Sequence, residues 1–551
     1  MISSAKVPGV YFTSAPPLVD SSPLRTDVAG FIGRTRRGRV GIPVRVEGLR
    51  NYQREFGGLS ADAVMTYAIR GYFENGGEVA HVIRLCHPKA KAAKAVWKIG
   101  DVNEDGSWSR SAPSGFEYAN YRIEATSPGT WANNAGVTIR YRLVGPSGKP
   151  EVDVVVNVPG EPTEYFTGLA VKPPEDDDNS SSETFVQEIN ARSLLISVKE
   201  ESPHPAKARQ NLGPGSARWD LTLSGGRDAE EDQTPGPFEY SEAIRRLGDV
   251  SEVALVAVPG LYDDLRNFGD REEAKEILSG LIAQAEEHRD RLVLVDVPTD
   301  TEHQPENGMA IVKVDEALKW IDELRELTES TDNRSTRAAA VYHPRLNVPD
   351  PLGGLIRPLR SVPPSGHVAG VISRLDRQRG AHHTPANAEI FEAVDITQQF
   401  DPREQEQLNT SGVNLLRCSA GNGLQVWGGR TLNLEPQLRF LVYRRLIHRL
   451  VRAIRRVAEP LVFDINGPEM WLAITRSITA VLLEAWRAGA LKGVRQEEAF
   501  RVRCDEELNP PSEQELGRVY CEIDVAPATP MEFIHLRLSL SGEGRLEVFE
   551  S

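Results

Sequence analysis

The apolar stretch Leu292-Val293-Leu294-Val295-Asp296 lies at the centre of a repeating pattern. A similar run, VALVAV, occupies residues 253–258, and a third, AAAVY, occupies residues 338–342. Two segments with helical spacing of their apolar residues, 272–288 and 314–327, separate these runs. Strands that are apolar along their whole length need cover on both faces. The pattern therefore predicts a parallel sheet between two layers of helices.

The pattern of apolar and polar residues changes on both sides of this region. Residues 28–85 have the pattern of a small β-α-β unit, residues 88–227 alternate polar and apolar residues between turns, and the chain after 401 combines strong helices with alternating strands. We expect an α/β and α+β multidomain protein with a parallel-sheet middle domain. The predicted segments are an N-terminal extended arm (1–25), the first part of the core (26–87), a β-rich inserted domain (88–227), the α/β domain (228–400), an α+β C-terminal domain (401–541) and a C-terminal arm (542–551).

Composition narrows the function classes. The chain has 551 residues, 40% of them hydrophobic, and a net charge of −15, which is typical of a folded protein and disfavours general binding to nucleic acid or anionic membranes. It has no signal-peptide pattern and no apolar run of the roughly 20 residues that span a bilayer, so we expect it in the cytoplasm of its producing cell, without membrane insertion. Four scattered cysteines suggest neither a zinc site nor a disulfide framework.

Candidate catalytic residues are isolated. The segment GPSGK at 145–149 lacks the spacing of a phosphate loop and is better explained as a hairpin turn. Asp296 ends a strand where α/β proteins place catalytic groups, but helix capping is the simpler role. Asp376, His382 and His383 could form a metal or acid/base site, although adjacent histidines seldom bind one ion. We predict no enzyme activity, cofactor or metal, and keep a hydrolase on the middle domain as the alternative function.

The helix predicted over 441–458 is strongly basic. One face is apolar and is formed by Tyr443, Leu446, Ile447, Leu450, Ile454 and Val457. The other positions carry Arg444, Arg445, His448, Arg449, Arg452, Arg455 and Arg456, with no acidic residue before Glu459. This face could be merely solvated, could contact nucleic acid, or could contact an acidic protein surface; the absence of interleaved aromatic residues disfavours nucleic acid.

Both chain ends have short apolar segments that could pair with a sheet. PGVYF at 8–12 lies in a proline-rich arm, and RLEVF at 545–549 follows a glycine-rich stretch. Such a segment can pack on its own domain or add a strand to the sheet of a neighbour.

Several short motifs together resemble the tail sheath proteins of contractile phage tails and related injection systems. Each motif alone is weak, but they occur in family order along nearly the whole chain. The motifs are PGVY (8–11), VAGFIGR (28–34), FGG (56–58), GYFENGG (71–77), SPGTWAN (127–133), LSGGRD (223–228), VPPSGHVAG (362–370), LNTSGVN (408–414), VWGGRTL (426–432) and WRAGAL (486–491).

The resemblance implies a structural protein that polymerises with itself as stacked six-subunit rings around an inner tube and contracts to drive that tube through a target envelope. Its implied partners are the tube, baseplate and terminal cap proteins, within a virion tail or an injection particle. It places the C-terminal domain inside and the inserted domain outside. It also implies inter-subunit strands at both arms (Val7, Val10, Tyr11, Phe12, Leu546, Val548, Phe549), an acceptor strand (Ile534, Leu536, Leu538) and an inner-tube contact (Arg445, Arg449, Arg452, Arg456).

Overall fold

The structure is a computed structural model that describes residues 25–98, 120–144, 149–170, 184–201, 217–228, 235–264, 270–299, 312–329, 334–419, 421, 423–461, 465–528, 534–540 and 546–550. Its strands are β1 (Ala29–Gly33), β2 (Val44–Glu47), β3 (Val79–Arg84), β4 (Lys94–Lys98), β5 (Asn120–Ala125), β6 (Gly136–Val144), β7 (Lys149–Asn157), β8 (Glu164–Ala170), β9 (Ile196–Glu201), β10 (Ala217–Thr222), β11 (Leu255–Ala257), β12 (Leu292–Asp296), β13 (Ala339–His343), β14 (Leu346–Pro349), β15 (Leu359–Val362), β16 (Asp395–Ile396), β17 (Val413–Ser419), β18 (Gly423–Trp427), β19 (Phe500–Arg503), β20 (Val519–Val525), β21 (Ile534–Leu540) and β22 (Leu546–Glu550).

The α-helices begin and end as follows: α1 (Gly48–Phe56), α2 (Met65–Glu74), α3 (Phe185–Arg192), α4 (Pro237–Gly248), α5 (Leu261–Asp264), α6 (Asp270–His288), α7 (Val314–Glu329), α8 (Ser365–Arg379), α9 (Pro402–Thr410), α10 (Leu441–Ala458), α11 (Pro468–Arg487), α12 (Gln496–Ala499) and α13 (Pro511–Glu515). In the described part of the chain, no helix combines the length and the apolar character that a membrane span requires.

Two compact units divide the chain at the start of α10. The central unit comprises residues 26–441, and the other comprises 1–25 and 442–551, of which 1–24 lie outside the described residues. This differs from the predicted C-terminal domain, which began at 401. The reason is that β17 pairs in parallel with β13 and continues the central sheet, so residues 401–441 belong to the central unit.

The central unit is built on an eight-stranded sheet in the order β18-β17-β13-β12-β11-β1-β3-β2. Its six inner strands run parallel, and β2 and β18 pair antiparallel at the edges. Alternate residues of one strand enter different cores: Val293 packs with α4, α6 and α7, whereas Leu294 packs with α2 and α8. The predicted parallel sheet with helices on both faces is confirmed.

The described strands of residues 88–227 form two further sheets, β4-β5-β9 and β10-β6-β7-β8. They share a separate core in which the Trp97 ring lies 5.9 Å from Phe185 and 5.3 Å from Trp219. Strands β6 and β7 pair antiparallel with Val144 opposite Lys149, and residues 145–148 of the GPSGK segment, predicted as a hairpin turn, lie outside the described residues. Lys91 and Arg227 exchange two backbone hydrogen bonds, which brings the entering and leaving chains together.

The C-terminal unit combines α10 and α11 with the antiparallel sheet β19-β20-β21-β22. Its core contains Leu450, Ile454, Ile478, Leu482 and Ile523. Burial alternates along β20, where Val519, Cys521, Ile523 and Val525 are buried and the residues between them are partly exposed. The helices predicted at 441–458 and 470–488 and the strands predicted at 500–504, 518–525 and 533–540 are all present, within about two residues of their predicted ends.

Candidate assembly surfaces

Helix α10 has the predicted apolar stripe, but its basic residues are more buried than a solvated face allows. Leu446, Leu450 and Ile454 lie in the C-terminal core. Arg445 is only 4% exposed and Arg452 only 1%, whereas Arg449 and Arg456 are partly exposed. The expectation that all four arginines face outward is therefore wrong for Arg445 and Arg452.

The charges along α10 alone do not reveal its ion pairs with other helices or the burial of its arginines. Arg449 lies 3.5 Å from the carboxylate of Glu484 on α11, so an acidic partner comes from a neighbouring helix. Arg444, Arg445 and Arg452 are buried and are therefore not available at the surface of the single chain. A charge pattern in one helix does not show which of its residues the rest of the fold covers.

The C-terminal strand pairs with the predicted acceptor strand. β22 lies antiparallel to β21, with Val548 opposite Leu538 and Leu546 opposite Leu540. β22 is an edge strand of its sheet, and β21 also pairs with β20. In the single chain, the predicted donor residues Leu546, Val548 and Phe549 thus pair within their own subunit. The N-terminal donors Val7, Val10, Tyr11 and Phe12 lie outside the described residues.

Asp296 has a structural role at the end of β12. One carboxylate oxygen accepts a hydrogen bond from the Ser365 backbone N–H at 2.9 Å, and the other accepts one from the Ser365 hydroxyl at 2.6 Å. Both contacts fix the start of α8. Loss of hydration raises the pKa of Asp296 to about 7, although the bonds from Ser365 favour the charged form. Asp296 therefore positions the first residue of α8, in agreement with the helix-capping role predicted from the sequence.

The other suggested site residues remain apart from any catalytic arrangement. Asp376 accepts a hydrogen bond from the Thr26 hydroxyl at 2.7 Å, and the His382 and His383 rings lie 4.3 Å apart. Among the described residues, no group of three His, Cys, Asp or Glu side chains could hold a metal ion.

Sequence reasoning missed an apolar tip between β14 and β15. Leu355 and Ile356 are almost fully exposed there. The turn is ordered by a hydrogen bond from Asp350 N–H to the Pro358 carbonyl at 2.8 Å, and by one from the Tyr67 hydroxyl to Asp350 at 2.7 Å. The signal in the sequence was LGGLI at 352–356, in which apolar residues flank two glycines.

Two family models match consecutive parts of this chain. The phage tail sheath protein central domain matches residues 239–432, and the phage tail sheath C-terminal domain matches residues 435–541. The chain belongs to the phage tail sheath family. Only residues 433–434 separate the two matches, and they lie close to the start of α10, where the two compact units divide.

Curated relatives are distant in sequence. The tail sheath protein of Vibrio phage KVP40 is 23% identical over 415 residues, which cover 72% of this chain and 56% of that protein. The tail sheath protein of Escherichia phage P2 is 25% identical over 180 residues, covering 30% of this chain and 42% of that protein. The chain thus spans about half the length of the curated relatives it matches.

Solved sheath structures share the fold along nearly the whole chain. The contracted helical sheath of the anti-feeding prophage is 18% identical, with a TM-score of 0.53, and the match covers 96% of this chain and 98% of that one. A sheath tail protein from Listeria innocua is 12% identical, with a TM-score of 0.59, and the match covers 94% and 95%. At these identities the likeness shows a shared sheath fold.

Proposed function

We propose that this protein is a structural sheath subunit of a contractile injection apparatus. It polymerises as stacked six-subunit rings around an inner tube and contracts to drive the tube through a target envelope. The observation that carries the proposal is the pair of sheath family matches over residues 239–541, with a fold shared along the whole chain. The hydrolase alternative gains no support from these matches.

The assembled particle supplies the other partners. Baseplate and terminal cap proteins bind the two ends of the sheath, and assembly takes place in the cytoplasm of the producing cell. A sheath needs neither a cofactor nor a catalytic site, because a better packed contracted lattice provides the free energy of contraction.

Strand exchange between subunits links the polymer in this proposal. β22 is held to β21 by a backbone ladder, and an identical strand from another subunit can form the same ladder. The N-terminal arm, with Val7, Val10, Tyr11 and Phe12, supplies a second strand. Exchange replaces one set of hydrogen bonds by an equivalent set, so the main cost is the entropy of association.

Cysteine cross-linking can test the exchange. Both subunits carry Cys521→Ser, because Cys521 lies opposite Leu538 in β20 and would compete for a cysteine placed there. Leu538→Cys is placed on one tagged subunit and Val548→Cys on another, since these positions are opposite in the ladder. Co-assembled sheaths should form disulfides between differently tagged subunits. A matched pair, Leu538→Cys with Glu550→Cys, is offset by two residues along the ladder, because Glu550 lies opposite Leu536, and should cross-link less. Equal cross-linking in both pairs, or none in the first, would contradict the exchange.

Burial leaves two of the four predicted arginines as candidates for the inner-tube contact. We propose that the partly exposed Arg449 and Arg456 face an acidic tube surface, while Arg445 and Arg452 hold α10 in place from buried positions. Exposed ion pairs contribute about 0–1 kcal/mol each, so such contacts can guide assembly and still break on contraction.

Negative-stain electron microscopy of the chain, alone and with its tube protein, tests the function. Ribbed cylinders are expected, with extended forms only on tubes. Arg449→Gln/Arg456→Gln should lower tube-dependent assembly. The matched control is Arg218→Gln/Arg245→Gln, which removes two exposed arginines of the central unit. A monodisperse monomer both with and without the tube protein would contradict the sheath proposal. Equal tube-dependent assembly of the two double variants would contradict only the proposed tube contact.

A further inference from the structure

Two of the four cysteines meet in the C-terminal sheet, although their spacing in the sequence gives no sign of it. β19 and β20 pair antiparallel, with Arg503 opposite Glu522. Continuing this register by one residue places Cys504 opposite Cys521. Both side chains pack against the core of the C-terminal unit, where Cys521 is buried and Cys504 is partly buried. The sheet therefore brings the two thiols to the same face.

The position of the two cysteines in the ladder suits a covalent bond. The Ala526 N–H donates to the Ala499 carbonyl at 2.8 Å, so Ala499 and Ala526 form a hydrogen-bonded pair. Hydrogen-bonded and non-hydrogen-bonded pairs alternate along an antiparallel ladder, and Cys504 and Cys521 are an odd number of steps further along. They thus occupy a non-hydrogen-bonded position, where Cα atoms are about 4.5 Å apart. Disulfides span Cα distances of roughly 4.4–6.8 Å.

A buried side chain holds the chain that follows Cys504. The Asn509 Oδ1 atom accepts a hydrogen bond from the Tyr520 N–H at 2.6 Å, and Asn509 Nδ2 donates to the Tyr520 carbonyl at 3.0 Å. The same Nδ2 atom lies 3.8 Å from the Cys504 sulfur. Asn509 therefore takes the place of a strand residue opposite Tyr520 and keeps the Cys504 sulfur beside β20.

The two thiols are also in direct contact. Their hydrogen bond, together with the burial of Cys521, raises the pKa of the Cys521 thiol above its ordinary value. Cys521 is consequently a protonated and protected thiol. Cys504 is the more exposed of the two, so an oxidant in solution reaches its sulfur first.

We propose that Cys504 and Cys521 form a reversible disulfide when the protein meets hydrogen peroxide. The Cys504 sulfur attacks one peroxide oxygen, the O–O bond breaks, and Cys504 becomes a sulfenic acid as one water is released. The Cys521 sulfur then attacks the Cys504 sulfur and gives up its proton, and the hydroxyl group leaves as a second water. Two thiols are oxidised by two electrons in total, and one peroxide is reduced to two waters.

This bond fixes one edge of the sheet and leaves the opposite edge without a covalent tie. β19 is the edge strand beside β20, and β22 is the edge strand at the other side. The disulfide closes residues 504–521 into a loop, which makes separation of β19 from β20 rarer. Thiols stay reduced in a reducing cytoplasm, so the bond forms in an oxidising environment. The inference concerns a single chain and is independent of the proposed sheath function.

Peptide mass spectrometry without reduction detects the bond. The full-length protein is treated with hydrogen peroxide, and the remaining thiols are blocked with iodoacetamide. We expect most chains to contain a linked Cys504–Cys521 peptide pair that is lost after treatment with dithiothreitol. Cys418, which is exposed, should be trapped as a sulfenic acid by dimedone in the same samples, which shows that the oxidant acted.

Hydrogen exchange in β19 tests the consequence of the bond. Oxidation should slow this exchange at least about tenfold in the wild type and in the control variant Cys418→Ser, but not in Cys504→Ser. Cys504→Ala replaces the serine variant if that variant fails to fold. Oxidised Cys418 without the linked peptide pair, linkage of Cys504 mainly to Cys86 or Cys418, or equal slowing in Cys504→Ser would overturn the proposal.

Discussion

The central sheet and the C-terminal sheet differ in how their strands are covered. In β1, β3 and β13 every residue is buried, because helices lie on both faces of the parallel sheet. In β20 only alternate residues are buried, and Glu522 and Asp524 occupy positions between them. The first sheet is covered on both faces, whereas the second keeps one partly exposed face. Both sheets have edge strands among the described residues, and β22 is the edge strand at the end of the chain.

This difference assigns separate tasks to the two units. A strand buried on both faces is specified by side-chain packing, which only its own helices can supply. An edge strand is held largely by its backbone, which a strand from another molecule can replace. The central unit is therefore suited to be a rigid body, and the C-terminal unit to form connections. Four measurements test whether the two units differ in this way.

The largest effect is expected from Val293→Asp in β12. A carboxylate in this fully buried position would lack a partner, so we expect a loss of more than about 4 kcal/mol and unfolding of the central sheet. Hydrogen exchange followed by mass spectrometry should show lost protection in β11, β12 and β13. Val293→Ile is the control and should retain protection.

Peptides from β20 report whether the two sheets respond separately. Retained protection in β20 while the central sheet unfolds would support independent units. Loss of protection in both sheets to the same extent would mean that they unfold as one cooperative body, and the comparison would fail.

The second effect concerns a buried ion pair on the central sheet. Arg337, just before β13, lies with its terminal nitrogen 2.7 Å from the Glu286 carboxylate on α6. Arg337→Met leaves the buried Glu286 carboxylate with only the more distant Arg289, at 3.9 Å, as an ion-pair neighbour, so it should lower central-unit stability by up to about 3–5 kcal/mol. The double variant Arg337→Met/Glu286→Met should recover most of this loss in denaturant unfolding. A double variant as unstable as the single one would show that packing, not the unpaired carboxylate, causes the loss.

The sequence predicted elements whose signal is local. Continuous apolar runs at 253–258, 292–296 and 338–342 identified the central strands, and helical spacing identified α10 with its observed ends. Alternation of apolar and polar residues predicted a strand at the position of β21 (Ile534–Leu540). These features depend on neighbours in the chain, which a single sequence contains.

Features that depend on residues far apart were not predicted. Because β17 pairs with β13, the central unit ends at 441 and not at the predicted 401. The sequence of residues 413–419 does not indicate which strand they pair with. The burial of Arg445 and Arg452 depends on the fold around α10. A cavity of the central unit is lined by Arg34, Arg84 and Asp228, which lie far apart in the sequence.

The third effect is a pH dependence of the central unit. The pKa of Asp296 is raised to about 7, above its unfolded value of 3.8, so the folded state binds this proton more tightly. Its contribution to stability is fully present below the unfolded value and is lost as pH rises through about 7. We expect a loss of about 1–3 kcal/mol between pH 4 and pH 8, measured by denaturant unfolding of the central unit.

Asp296→Asn isolates this contribution. The asparagine cannot ionise but retains an oxygen that can accept from Ser365, so the variant should lose this part of the pH dependence. The C-terminal unit of the same molecules is the reference for other titrating groups. If the variant keeps the full pH dependence of the wild type, another group in the central unit is responsible.

The smallest effect is expected at the partly exposed face of the C-terminal unit. Arg449 and Glu484 join α10 to α11 at 3.5 Å, with side chains 16% and 51% exposed. Because solvent screens such a pair, Glu484→Gln should lower stability by less than about 1 kcal/mol, and high salt should reduce the difference. Leu482→Ala, two residues earlier on α11 and in the core, is the contrasting variant and should cost about 2–5 kcal/mol. A loss at Glu484 as large as that at Leu482 would mean that charge pairing, rather than apolar packing, holds the two helices together, and the C-terminal unit would then depend on ionic contacts as the central unit does at Arg337.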